Sequence, residues 1–360
     1  MAQLEALDPF GYEALPHRVI FGAGRVAALP DMARDIGCKR ALVLSTRGQR
    51  ALAERISALL GELSAGIFDG AMMHTPVEAT EEAFRIYRSS GADSVVSVGG
   101  GSTTGLGKAI VLRTNARHLA IPTTYAGSEV TPILGETSGG QKKTQRNIKL
   151  LPTAIIYDVE LTLSLPPRLS AASGMNAMAH AVEALYAKNR NPISSLMAES
   201  SLRAFAFSLP RIVRDANDLE ARADAQYGAW LAGECLAATM MALHHKLCHV
   251  LGGAYDLPHA ETHAIVLPHA AAYNAPATQP AMRRIADAIG AAEAAQGLYE
   301  LAGSLNIPLA LKDLGMPAES VEKVAQTALR EPYWNPRALR LDRLRGLLSR
   351  AYEGAPPRVE

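Results

Sequence analysis

A chain of 360 residues exceeds the usual span of one hydrophobic core and fits two domains, and its 48% apolar content is enough to bury both. Lysine and arginine total 36 against 35 acidic residues, a net charge of +1, which excludes the basic footprint of a dedicated nucleic-acid binder and gives no charge-driven pull toward a membrane surface. Three scattered cysteines, Cys38, Cys235 and Cys248, exclude a disulfide framework, and residues 1–10 lack the basic and apolar regions of a signal peptide, so a cytoplasmic protein without a membrane span is expected.

Residues 17–21 read as a short strand closed by Gly22-Ala23-Gly24, outside the main pattern and free to pair elsewhere. An edge strand of that kind invites pairing with a second copy, so a homodimer is expected. Short β-branched runs then alternate with helical patterns: a strand over 40–45, helices over 49–60 and 79–90, and strands over 94–98 and 119–122. That rhythm predicts a doubly wound parallel sheet. Pro166-Pro167 cannot continue a strand ladder and favours a helix start, which sets the division at 1–165 and 166–360. Beyond it, alanine, leucine and methionine at helical period predict helices over 169–186, 191–207 and 221–251. The expected fold is an N-terminal α/β dinucleotide-type domain followed by an all-helical one.

The strand over 94–98 runs into Gly99, Gly100, Gly101 and Ser102 and then a helix. Glycines admit a phosphate close to backbone amides, and the helix start beyond them carries partial positive charge. The spacing matches neither common template, because the third glycine of a dinucleotide fingerprint is displaced and Lys108 is followed by Ala109 in place of Ser or Thr. A tight turn without a ligand is the alternative. A second polar loop over 122–131, with Thr123, Thr124, Ser128 and Thr131, follows the next strand at the same expected carboxyl edge, where open α/β sheets bind ligands.

Six of the ten histidines fall between 244 and 269. In the helix predicted over 169–186, Asn176 and His180 lie four apart on one face with Glu183 beside them; His245 and His249 are again four apart, and His259 follows Pro258. Facing helices with inward polar residues at this spacing commonly build a metal or catalytic site. A good anion is missing, because asparagine offers only a neutral carbonyl oxygen, so the set reads as a hydrogen-bonding site with optional metal.

These residues together resemble the iron-containing alcohol dehydrogenase superfamily, from the first strand to about Asn274. The wording of Leu15-Pro16-His17-Arg18-Val19-Ile20-Phe21-Gly22-Ala23-Gly24, Ser173-Gly174-Met175-Asn176-Ala177, Met241-Ala242-Leu243-His244-His245-Lys246-Leu247-Cys248-His249 and Pro258-His259-Ala260-Glu261-Thr262-His263 is similar to one branch of it. That branch reduces the double bond of a dicarboxylate, conjugated to a ketone, to give 3-oxoadipate during breakdown of aromatic compounds. The resemblance implies a dehydroquinate synthase-like architecture and NADH or NADPH as cofactor. It puts the cofactor phosphates on Gly99 to Ser102 and on Thr123, Thr124 and Ser128, nucleotide contacts on Thr131 and Lys142, and Leu161 to Leu165 near the nicotinamide. It puts the family metal positions on Asn176, His180, His245 and His259, and the family's catalytic histidine on His249. Three departures stand out: Asn176 replaces the usual aspartate ligand, Gly105 stands where many relatives carry aspartate, and Thr46 stands where an aspartate commonly holds the adenosine ribose.

Hydride addition to the alkene carbon remote from the ketone sends charge onto the ketone oxygen, so the site must stabilise an enolate. His245 or His249 is expected to donate to that oxygen and to protonate the neighbouring carbon, and Lys246 and His244 are local candidates for holding the substrate carboxylates. Metal is not expected to be essential, because an enolate is a weaker base than a simple alkoxide. The alternatives are a metal-dependent alcohol or aldehyde dehydrogenase of the same superfamily, a lyase working through transient oxidation, and a catalytically silent nucleotide-binding protein.

Overall fold

The structure of the protein, a computed structural model, describes residues 9–139, 141–330 and 333–359. The side chains of Gln141 and Lys142 lie outside the described residues, and so do the nucleotide contact expected of Lys142 and residues 1–8 of the amino-terminal segment.

Strands β1 (Arg18–Gly22), β2 (Ala41–Leu44), β3 (Ser64–Phe68), β4 (Ser94–Gly99), β5 (Arg117–Pro122) and β8 (Ala154–Asp158) form a parallel sheet in the order β1-β8-β5-β4-β2-β3. An antiparallel hairpin, β6 (Ile133–Ser138) and β7 (Gln141–Arg146), stands apart from it. Helices α1 (Leu29–Asp35), α2 (Arg50–Leu60), α3 (Val77–Ser89) and α4 (Gly101–Arg113) cover the sheet. Alternation along β2 and β4 separates two cores: Val43, Val96 and Val98 pack with Leu29 and Ile56 of α1 and α2, whereas Leu42, Leu44 and Val95 pack with Tyr87 and Ile110 of α3 and α4.

The helical part comprises α5 (Pro167–Tyr186), α6 (Pro192–Arg214), α7 (Leu219–Ala238), α8 (Leu243–Tyr255), α9 (His259–Asn274), α10 (Gln279–Ile289), α11 (Ala294–Ser304), α12 (Ser320–Arg330) and α13 (Leu341–Glu353). Pro166 caps α5 and Pro167 occupies its first turn, where a missing N–H costs nothing. No helix among the described residues is long and apolar enough to cross a membrane.

Four expectations are corrected. The first strand is not left to pair elsewhere: β1 joins its own sheet in parallel register with β8, Arg18 against Ala154 through Gly22 against Asp158. The carboxyl end is fastened by Asp158, whose carboxylate accepts the backbone N–H groups of Gly24 at 3.1 Å and Val26 at 2.8 Å. The helix expected over 221–251 is two helices, α7 and α8, broken at Thr239–Ala242, where Thr239 turns extended. The helix expected to end at Phe207 runs on to Arg214, with Pro210 inside it. Finally, β3, β8 and the hairpin were not anticipated: Ser64-Ala65-Gly66 is weakly β-forming and β7 is polar throughout, whereas Ala154-Ile155-Ile156-Tyr157-Asp158 carries a β-branched run that the sequence reading passed over.

Candidate active site

The carboxyl ends of β4 and β5 bring the two polar loops together. Thr123 donates its backbone N–H to Gly99 O at 2.9 Å, and Gln49 donates its side-chain amide to Thr123 Oγ1 at 2.8 Å. Gly99 sits at φ 141°, a backbone conformation that side chains rarely adopt, and a Cβ there would also crowd Thr103 Oγ1 at 2.9 Å; one on Gly100 would meet Thr124 at 3.0 Å. Gly101 and Ser102 open α4, and no side chain caps that helix. Its first N–H groups therefore point at the loop edge unsatisfied, beside the buried and unpartnered Ser128 Oγ. A cradle kept free of Cβ atoms, an uncapped helix start and an orphan hydroxyl fit the diphosphate of a nucleotide.

Thr131 serves the loop from inside. Its hydroxyl donates to Ser128 O at 2.9 Å and accepts from Lys108 Nζ at 3.0 Å. Lys108 also donates to Ser128 O at 2.6 Å and Ile133 O at 2.9 Å, and burial pushes its ammonium down to about 7. Thr46 lies two residues beyond the end of β2, half-buried, at the start of a short 3-10 turn. The segment from Leu161 to Leu165 follows β8 at the same edge, but the Leu161 side chain lies in the sheet core and Leu165 packs on the helical core. Gly105 lies against Thr75, whose hydroxyl a Cβ there would overlap.

Across the domain junction, α5, α8 and α9 build a cage of imidazoles. Asn176, His180 and Glu183 occupy one face of α5, all buried, and the His180 and His245 rings are 5.1 Å apart between centroids. His249 lies one turn beyond His245, 6.3 Å away between ring centroids, and the His259 ring lies 4.2 Å from that of His263 on α9, tilted by 49°. His249 and His259 are exposed, whereas His180, His245 and His263 are buried, so the cage opens on the side of the first pair. Among the described residues, Asn176 Oδ1, His180 Nδ1, His245 Nε2 and both ring nitrogens of His263 are buried without a hydrogen-bond partner. So many orphaned polar atoms in one place mark a site for a ligand.

Glu183 organises the cage. Its carboxylate accepts the backbone N–H groups of Ala242 at 2.8 Å and His244 at 2.9 Å, and Nδ1–H of His245 at 2.7 Å. Burial pushes this carboxyl up, while His244 and the backbone donors of α8 pull it down. The helix break at 239–242 is what delivers those donors, and the acidic side chain complements the positive end of α8. With Nδ1–H committed to Glu183, neutral His245 presents Nε2 as an acceptor, a two-sided arrangement familiar in metal and catalytic sites. Burial, followed by the neighbouring imidazoles, holds His180, His245 and His263 well below the ordinary histidine range.

His244 does not fit the role of a cation for substrate carboxylates. It is fully buried, its Nε2–H donates to His263 O at 2.9 Å, and burial pushes it down to about 4, so it is neutral. Its Nδ1 lies 3.4 Å from His245 Nδ1. Lys246, the next residue of α8, is half-buried, with Nζ 5.6 Å from the centre of the Tyr333 ring. Sequence reasoning assigned no role to His263, although its four-residue spacing from His259 is the signal used for the other pairs, and it took Glu183 only as a neighbour. His244, His245 and His263 each offer a nitrogen within 4.8 Å of the others.

The family model for iron-containing alcohol dehydrogenases matches residues 16–159, and the model for the C-terminal region of the same family matches residues 170–352. The chain belongs to the iron-containing alcohol dehydrogenase family. Within this family it is 53% identical to a maleylacetate reductase of Sphingobium indicum, covering 97% of this chain and 99% of that one. It is 52% identical to a maleylacetate reductase of Rhizobium sp., covering 98% and 100%. The crystal structure of maleylacetate reductase from Agrobacterium tumefaciens superposes with a TM-score of 0.95 at 52% identity over 98% of this chain and 100% of the other.

Proposed function

We propose that this protein catalyses the NADH- or NADPH-dependent reduction of the carbon-carbon double bond of maleylacetate to 3-oxoadipate, in the breakdown of aromatic compounds. The observation that carries the reading is the full-length similarity, at about half of all positions, to relatives named for that activity. The division of labour follows the two parts of the chain, 1–165 for the cofactor and 166–360 for the substrate. We take the chain to work in the cytoplasm as a homodimer, with the outer edge of β1 a candidate contact.

When bound, the nicotinamide supplies a hydride to the alkene carbon remote from the ketone. The uncapped start of α4, the amides at Gly99 to Ser102 and the hydroxyls of Thr124 and Ser128 hold the phosphates. The ring N–H groups of His180 and His249 stabilise the enolate oxygen. His249, in contact with water at the open side, can reload a proton and acts as general acid on the adjacent carbon. Neutral His245, oriented by Glu183, offers only a lone pair, so the donor role expected of it passes to His249.

The metal positions implied by the family, Asn176, His180, His245 and His259, contain three imidazoles and a neutral amide. Without a carboxylate, that set does not match a tightly held iron, and we propose no step through a metal. The test is NADH and NADPH oxidation with maleylacetate alongside simple aldehydes, before and after chelation. Turnover of maleylacetate that survives chelation supports the reading; turnover of aldehydes alone, dependent on metal, replaces it with an alcohol dehydrogenase.

A further inference from the structure

We propose that helix α7 forms a second wall of the nucleotide site, with Gly233 and Gln226 as positioning residues that hold the loop over 122–131 in its cofactor-accepting shape. This rests on the reading that the glycine loop binds a nicotinamide nucleotide.

Residues 222, 226, 229 and 233 fall on one stripe of α7, and each touches that loop or the linker beside it. Arg222, fully buried, donates to Leu165 O at 2.9 Å and Ser170 Oγ at 2.7 Å and reaches Tyr125 OH at 3.5 Å. Gln226, also fully buried, donates to Pro122 O at 3.4 Å, where β5 ends. Ala229 O lies 3.3 Å from the place where a Cβ on Gly127 would stand.

The closest approach is between Gly127 and Gly233. A Cβ on Gly233 would lie 2.5 Å from Gly127 O and 3.0 Å from Gly127 Cα, and would overlap Val130. Because two of those atoms are backbone, the loop itself would have to retreat. Gly127 sits at φ 73°, one residue before Ser128 Oγ, and Lys108 grips Ser128 O from the opposite side. The loop is thus clamped between α4 and α7, and the helical part of the chain sets the shape of a site built on the sheet. A displacement of a few tenths of an ångström at Gly127 moves the hydroxyl and amides that meet the phosphates, whereas the imidazole cage on α5, α8 and α9 is untouched.

The test compares Gly233→Ala with Gly228→Ala, which lies on the same helix but whose added Cβ would stand 3.1 Å from Phe205 and 3.3 Å from Ala204, away from the loop. Dissociation constants for NADH and NADPH are read by fluorescence quenching, kcat at saturating cofactor by turnover, and folding by circular dichroism and Tm. Gly233→Ala is expected to raise both dissociation constants at least tenfold with kcat within threefold, while Gly228→Ala lowers Tm and leaves the constants within twofold. Gln226→Met, which keeps the volume, should raise them about threefold and decides the matter if Gly233→Ala does not fold. Unchanged binding by folded Gly233→Ala or Gln226→Met, or an equal rise in Gly228→Ala, overturns the second wall alone. Absence of saturable NADH and NADPH binding by the unaltered protein overturns the nucleotide reading with it.

Discussion

Replacing Glu183 tests the organisation of the cage most directly. Its carboxylate satisfies three buried donors: the N–H groups of Ala242 and His244 and Nδ1–H of His245. Glu183→Ala strands all three in a site with no exposure, and each unsatisfied buried donor costs about 1–3 kcal/mol, so a loss of roughly 3–6 kcal/mol is expected after partial relaxation. Glu183→Gln is milder. One carboxylate oxygen receives two of the donors, Ala242 and His245, so an amide oxygen placed there keeps both and sets the amide NH2 against the His244 N–H alone. One mismatched donor and the lost charge at the α8 N-terminus together cost about 2–4 kcal/mol. Because the Nδ1–H of His245 keeps an oxygen to donate to in the glutamine variant, turnover should fall about 10- to 100-fold, and further in the alanine variant, where the ring is free to rotate. Urea unfolding measures the first effect and maleylacetate-dependent NADH oxidation the second. If Glu183→Ala unfolds within about 0.5 kcal/mol of the unaltered protein and turns over within threefold of it, the carboxylate neither caps α8 nor orients His245, and the argument fails.

Maleylacetate reduction should survive exhaustive chelation, and Asn176→Asp should bind zinc or iron more tightly by titration without a proportionate gain in turnover; a dead apo-protein restored by stoichiometric metal would refute this. His249→Ala should lower kcat about 10²- to 10³-fold, the usual effect of losing an oxyanion donor, and a drop below threefold would remove it from the mechanism. Thr46→Asp should raise KM for NADPH at least tenfold through repulsion of its 2′-phosphate while KM for NADH changes little, and equal effects on both would place Thr46 away from the ribose. Burial holds His118 at about 3 and His244 and His269 at about 4, so all three are neutral when folded and take up protons only on unfolding. Their contribution to stability is complete above about pH 6.5 and is lost as the pH falls toward 4, at about 1.4 kcal/mol per proton per pH unit. Urea midpoints that stay flat between pH 6.5 and 5 would contradict that assignment.

The elements legible in the sequence were those whose signal is local. Glycines ending a β-branched run revealed the turn into α4, because only they tolerate φ 141° at Gly99 and the contact of Gly100 with Thr124. Four-residue spacing put Asn176 and His180 on one face, and Pro166-Pro167 marked the start of the helical part. The family, too, was legible in motif wording alone. Tertiary structure decided what depends on partners far away in the chain. The stretch over 221–251 is rich in alanine, leucine and methionine and reads as one helix, yet it breaks at 239–242, where the N–H groups of Ala242 and His244 meet the carboxylate of Glu183, some sixty residues earlier. His244 has the composition of a cation and is made neutral by burial and the carbonyl of His263. β1 looked isolated because its ladder partner, β8, lies at the far end of the sheet domain in sequence. Helix period and backbone freedom are properties of neighbouring residues and can be read along the chain; protonation, capping and strand pairing are set by desolvation and by donors and acceptors that only folding brings within 3 Å.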